Sequence, residues 1–138
     1  MTTQNEPTEG MKPGFPFNCM AMFPEQIRDF IKLDLGPALE KAGYGAEKFR
    51  LFIIDDQRLF LPRWTRIILS DPEAARYVYG ASFHWYMNAL APAAESLSRV
   101  HDKYAGLVLL STEAATGGTV APTPGYDRKS GLVSLKIY

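Results

Sequence analysis

Cysteine occurs once in these 138 residues, as Cys19. A single thiol excludes an internal disulfide and any zinc site built from cysteines. Excess charge of either sign is also missing, since 15 Lys and Arg balance 15 Asp and Glu. Neutralising nucleic-acid phosphates takes a basic surplus, so a nucleic-acid partner is not expected. No apolar run approaches the ~20 residues of a membrane-spanning helix. Residues 1–10 are polar, unlike a secretory signal peptide. What remains is 46% hydrophobic and 22% charged, the balance of a packed domain rather than a disordered chain. The length fits one domain with a substantial buried core.

The clearest pattern is an alternation of strand-like and helix-like segments. Residues 49–54, 78–83 and 107–110 are short, nearly continuous apolar runs rich in aromatic and β-branched side chains. Such runs suit strands buried on both faces, as in parallel sheets. Between them lie helical faces. Ile27, Phe30, Ile31, Leu35 and Leu39 recur at helical spacing from Pro24 onward, and Gly36-Pro37 is expected to kink or split that helix. Trp64, Ile67 and Ile68 form a second face, and Leu97, Val100 and Tyr104 a third. Ser70-Asp71-Pro72-Glu73 resembles a capping box opening a further short helix. The predicted fold class is therefore α/β, with parallel strands joined by helical crossovers.

Asp55, His84 and Glu113 fall at successive strand ends, each 29 positions after the last. A period of about thirty is the size of one βα unit. Polar residues at strand C-termini carry the chemistry of a (β/α)₈ barrel. A small doubly wound sheet would place them similarly. From Gly117 the chain turns glycine- and proline-rich, with no helical period. Residues 132–138 read as a short strand. Gly117-Gly118 lacks the lysine and spacing of a phosphate loop.

Each polar candidate has two readings. Glu6, after Asn5, is either a general acid beside a sugar-binding amide or part of a solvated chain end. Glu113 is either a catalytic carboxylate in a polar cleft or a cap on a following helix. His84-Trp85-Tyr86 either lines a sugar site or plugs the core with aromatic rings. Asp55-Asp56-Gln57 is a calcium ligand set, a polarising pair or a helix cap. His101 has no partner at metal-ligand spacing and reads as a surface residue. Taken together, two glutamates at strand ends with a His-Trp-Tyr strand end between them make the layout of a retaining glycosidase. In that layout one carboxylate's charge keeps the other protonated.

At these residues the chain resembles the glucosylceramidases, retaining glycoside hydrolases built on a (β/α)₈ barrel. The likeness runs through Gln4-Asn5-Glu6-Pro7, Phe23-Pro24-Glu25, Arg28-Asp29-Phe30-Ile31, Asp34-Leu35-Gly36-Pro37 and Asp55-Asp56-Gln57-Arg58-Leu59. It continues through Asp71-Pro72-Glu73-Ala74-Ala75, His84-Trp85-Tyr86 and Ser111-Thr112-Glu113-Ala114. The resemblance implies Glu6 as acid/base at the end of barrel strand four and Glu113 as nucleophile at the end of strand seven. Asn5 would contact the sugar 2-hydroxyl. His84, Trp85 and Tyr86 would line the sugar pocket. It further implies hydrolysis of glucosylceramide to glucose and ceramide, no metal or cofactor, a lysosomal setting, and help from an activator protein and an anionic lipid surface. A full barrel takes about 250 residues. Residues 1–116 are therefore expected to be a partial barrel, from the end of strand four to strand seven. Residues 117–138 are expected to be a divergent, poorly ordered tail. A fragment, a truncated gene model or a splice product would look this way, and the isolated chain is expected to be inactive. The competing reading is a non-catalytic remnant that binds other chains or is unstable.

Overall fold

A computed structural model describes residues 1–12, 20–87 and 90–113. The first helical region is α1 (Pro24–Phe30), a π turn (Ile31–Leu35) and α2 (Gly36–Lys41). Strand β1 (Leu51–Gln57) leads through a single 3₁₀ turn into α3 (Leu61–Ile68), and α4 (Pro72–Ala75) follows. Then come β2 (Val78–His84), a second π turn (Ala94–Ser98), α5 (Arg99–Lys103) and β3 (Val108–Glu113). The three strands pair in parallel in the order β1-β2-β3. The predicted α/β reading with adjacent parallel strands holds. The N-terminal segment adds a bridge from Thr2 to Phe52, also parallel, and the Thr3 amide donates to the Phe52 carbonyl at 3.0 Å.

Proline positions the helix starts. Pro24 and Pro72 stand first in α1 and α4, where the missing N–H costs nothing. The Gln26 side chain closes the α1 entrance by accepting the Phe23 amide at 2.7 Å. At α4 the cap differs from the sequence expectation: Asp71, not Ser70, accepts the Glu73 amide, at 2.9 Å. Ser70 instead donates its hydroxyl to the Ile67 carbonyl and ends α3. At Gly36-Pro37, expected to kink or split the helix, a π turn interrupts the α-helix and α2 begins at Gly36. The Gly36 amide reaches back five residues to the Ile31 carbonyl. That wider turn makes room for the Pro37 ring, which an α-turn would drive into the carbonyl four residues back.

One helical layer covers the sheet. Helix α3 packs on β1 and β2, with α1 and α5 on its flanks. Ile27, Ile31, Leu61, Trp64, Ile68 and Val100 point from the helices onto Leu51, Ile53, Ile54, Ala81 and Leu109, all buried. Burying apolar surface at about 25 cal/mol per Å² is the main force holding these layers together. Gly80 marks where the sheet tolerates no side chain. A Cβ there would lie 2.4 Å from the Val108 carbonyl oxygen and 2.6 Å from the Phe52 ring. Gly80→Ala is expected to destabilise the chain by about 1–3 kcal/mol through overpacking. A denaturant midpoint compared with the wild type measures it.

The expected strand ends move. β1 extends to Gln57, so Asp55 sits two residues inside the strand rather than at its end. β3 starts at Val108 and runs to Glu113, three residues beyond the expected Leu110. The expected tail, residues 117–138, and its short strand at 132–138 lie outside the described residues.

Candidate active site

The site forms where the strands end. β2 delivers His84 to the middle of the sheet edge, opposite Gln57 on one side and Glu113 on the other. Glu6 arrives from the N-terminal segment, whose Glu6 amide donates to the Asp55 carbonyl at 2.9 Å. His84 is fully buried. Its Nδ1 lies 3.4 Å from Glu6 Oε1, and its Nε2 lies 3.5 Å from both Asp55 Oδ1 and Glu113 Oε1. These separations exceed normal hydrogen bonds, so charge rather than a directed bond holds the ring. The structure thus brings together Glu6, His84 and Glu113. One polar atom from each lies within 4.8 Å of the other two.

That spacing also suits a metal site, but the ring orientation argues against one. The imidazole turns Nδ1 to one glutamate and Nε2 to the other, bridging two carboxylates instead of joining them on a common point. With the imidazole protonated, the three side chains form an ion-paired cluster.

The other sequence candidates divide. Tyr86 is half-buried, donates its hydroxyl to Glu113 Oε2 at 3.2 Å, and meets the His84 ring edge-on at 6.0 Å between centroids. Trp85 is half-buried between them in sequence. Asn5 is exposed beside Glu6, and among the described residues only its backbone carbonyl is engaged, by the Gln4 amide group at 3.4 Å. His101 is exposed, 3.6 Å from Asp102, as expected of a surface residue. Asp55 and Asp56 cap no helix. Asp56 is fully buried and accepts the Thr8 amide at 3.0 Å and the Thr8 hydroxyl at 2.5 Å. Asp55 accepts the Thr112 hydroxyl at 2.6 Å. Thr8 and Thr112 were not among the sequence candidates. Each stands one or two residues from a candidate glutamate, and that adjacency was the available signal.

Strain concentrates here. Among the described residues the non-glycine positions with positive φ are Glu6 at 48°, Ile54 at 82° and Asp55 at 55°. A left-handed β-branched residue is costly, and such outliers gather at functional sites.

The charges are tuned by these surroundings. Burial pushes the Glu6 carboxyl above its ordinary value; the His84 charge opposes this, and Glu113, Asp56 and Glu9 reinforce it. Burial works against a charged His84, yet Asp55, Glu113 and Glu6 outweigh it and hold the imidazole above its ordinary value. Burial likewise opposes Asp55 ionisation, but His84 and Thr112 keep that carboxyl below the usual range. The arrangement can hold one carboxyl protonated beside another, with a buried cation between them.

The comparisons with known proteins agree with this architecture. The family model of the glycosyl hydrolase family 30 TIM-barrel domain matches residues 1–132. The lysosomal acid glucosylceramidase of Mus musculus is 48% identical over 117 residues, which is 85% of this chain and 22% of that protein. The chain therefore spans about a fifth of the length of that curated relative. Among solved structures, the endo-β1,6-glucanase BT3312 superposes with a TM-score of 0.68 at 28% identity, covering 84% of this chain and 24% of that one. SrfJ from Salmonella typhimurium gives 0.67 at 18% identity over 86% of this chain and 25% of that one, and shares the fold. Among the described residues no helix is long and apolar enough to cross a membrane. A parallel sheet with Glu113 at a strand end and Glu6 brought beside it by the N-terminal segment, and a family match along nearly the whole length, place the chain in glycosyl hydrolase family 30, as part of a TIM-barrel domain.

Proposed function

We propose that this chain supplies both carboxylates of a retaining β-glucosidase acting on glucosylceramide. One observation carries the reading: Glu6 and Glu113 approach within 4.8 Å across a buried histidine. Retaining enzymes hold their two carboxyls about 5–5.5 Å apart, whereas inverting ones leave roughly 6.5–9.5 Å for a water. Glu6, held above its ordinary pKa mainly by burial, suits the acid that protonates the glycosidic oxygen. Glu113 then attacks the anomeric carbon, with Tyr86 fixing its second oxygen. In the second step Glu6 takes a proton from water, which displaces Glu113 from the sugar. Asn5, exposed next to Glu6, is assigned the sugar 2-hydroxyl, and Trp85 one wall of the sugar pocket.

The glycolipid substrate rests on the likeness to glucosylceramidases and on the name of the mouse relative. The lysosomal setting rests on the same name. The activator protein and the anionic lipid surface rest on the family resemblance alone. The 138-residue polypeptide, with half a barrel, is proposed to be inactive by itself.

The test is a chimera in which residues 1–113 replace the matching segment of the mouse enzyme. It is expected to hydrolyse glucosylceramide. Glu113→Gln and Glu6→Gln in the chimera should each cut turnover at least about a thousandfold. With azide and an activated aryl glucoside, Glu113→Gly should yield the α-glucosyl azide and Glu6→Gly the β-azide. A soluble, folded chimera without turnover would instead support the non-catalytic remnant.

A further inference from the structure

We propose that Asp55 is a positioning residue: with Thr112 it forms a clasp across the end of β2 that fixes the His84 ring between Glu6 and Glu113 and anchors the strand end carrying Glu113. This rests on the reading of Glu6 and Glu113 as the catalytic pair.

The register carries the argument. Along β1, Ile54 pairs with Ser82 and Asp56 with Phe83, so Asp55 is an extra residue facing no partner. Along β3, Ser111 pairs with Phe83 and Glu113 with His84, so Thr112 is extra in the same way. β1 and β3 are not neighbours, because β2 lies between them. Yet the two extra residues meet, the Thr112 hydroxyl donating to Asp55 Oδ1 at 2.6 Å and leaning 3.4 Å from the Phe83 carbonyl of the strand beneath. Bulges re-aim side chains beside active sites. Here two matched bulges re-aim side chains toward each other.

The same Asp55 oxygen lies 3.5 Å from His84 Nε2. The clasp therefore does two things. It sets a buried negative charge against one edge of the ring, while Glu6 faces the other edge. It also pins the residue just before Glu113. The groups facing His84 are Glu6 from the N-terminal segment, Asp55 from β1, Glu113 from β3 and the Tyr86 ring after β2. Of these, Asp55 is tied to β3 across the intervening β2. Its backbone is left-handed, φ 55°, a conformation strained for most residues.

Asparagine is the informative substitution because it tolerates that backbone and still accepts the Thr112 hydroxyl. Asp55→Asn thus removes charge alone, and Thr112→Val removes the tether alone. The 138-residue protein has two histidines, so both ring signals can be followed by NMR, with His101 as internal reference. In Asp55→Asn the His84 midpoint is expected to move to lower pH while His101 stays in place. In Thr112→Val the Glu113 amide is expected to exchange faster with solvent. In the chimera, Asp55→Asn should lower kcat about tenfold with little change in KM, and move the alkaline limb of the pH profile toward acid.

An unshifted His84 midpoint in folded Asp55→Asn would overturn the proposal. So would an unchanged kcat in an active chimera. If the chimera is inactive but His84 responds, the catalytic reading fails while the clasp stands, so the two failures are distinguishable.

Discussion

His84→Leu is expected to cost the fold about 3 kcal/mol, the low end of what breaking a buried ion cluster costs. The ring is fully buried, and three carboxylates lie within 3.5 Å of it. Leucine matches its bulk but leaves Glu6, Asp55 and Glu113 facing one another without a cation. The low end applies because the Glu113 side chain is 39% exposed, and solvent screens part of its charge. The loss should depend on pH in a defined direction. His84 is held above its ordinary value once burial and its carboxylate partners are weighed together. Its stabilising share is therefore complete below about pH 6.5, the unfolded value, and disappears as pH rises through the higher folded value. Asp55 is held below its ordinary value, so its share is present above about pH 3.9 and is lost as pH falls through the folded value. Glu6, held above its ordinary value, opposes this increasingly as pH rises past about 4.3. The cluster should therefore stabilise most at about pH 4–5 and progressively less as pH climbs. Denaturant midpoints of wild type and variant should thus differ more at pH 5.5 than at pH 8.5. A pH-independent difference would mean that the ring acts by packing alone.

Which parts of this site were legible in the chain follows from what period-two and period-3.6 patterns encode. Residues 49–54, 78–83 and 107–110 are apolar because both faces of a covered parallel sheet are dry, and that dryness is visible as composition. Glu113 and His84 could be placed because a polar residue closing such a run has to meet solvent or a partner. The 29-residue spacing also aligned them, and they do pair across the sheet. Asp55 kept the spacing but not the register, since Gln57 faces His84. A bulge adds one residue without leaving a compositional mark in a polar stretch such as Asp55-Asp56-Gln57 or Ser111-Thr112-Glu113. The clasp was therefore invisible in the sequence, and so was the Thr8 cap on Asp56. Gly36-Pro37 marked the interruption of the helix but not its form. Proline's clash is local, but its remedy, a π turn five residues long, is a property of the helix. Ser70 lost the cap to Asp71 because Pro72 fits the first helical position, which makes its predecessor the cap.

The 138-residue polypeptide alone is expected to hydrolyse β-glucosides at least about a thousandfold more slowly than the chimera that completes the barrel. The carboxylates are not the reason, since Glu6 and Glu113 are already close. Glycoside hydrolysis is accelerated by groups that bind the oxocarbenium-like transition state better than the sugar, and those must surround the ring. Among the described residues, three paired strands and one bridging segment supply a single wall. The Glu113 side chain is 39% exposed there, and water weakens each charge interaction on which the mechanism depends. The Glu6 end is the weaker point. It is held by backbone bonds from a short segment to β1 and by the Asp56 contacts to Thr8, whereas Glu113 is carried on a full strand. Closing the barrel should hold Glu6 from its other side, so the gain should appear mainly in kcat and in the alkaline limb, where that carboxyl must stay protonated to act as the acid. Assays of the chain, the chimera and its Glu113→Gln variant on a fluorogenic β-glucoside and on glucosylceramide measure this directly. Glu113-dependent turnover by the chain at the chimera's rate would mean that this wall, alone or with a second copy, already makes a complete pocket.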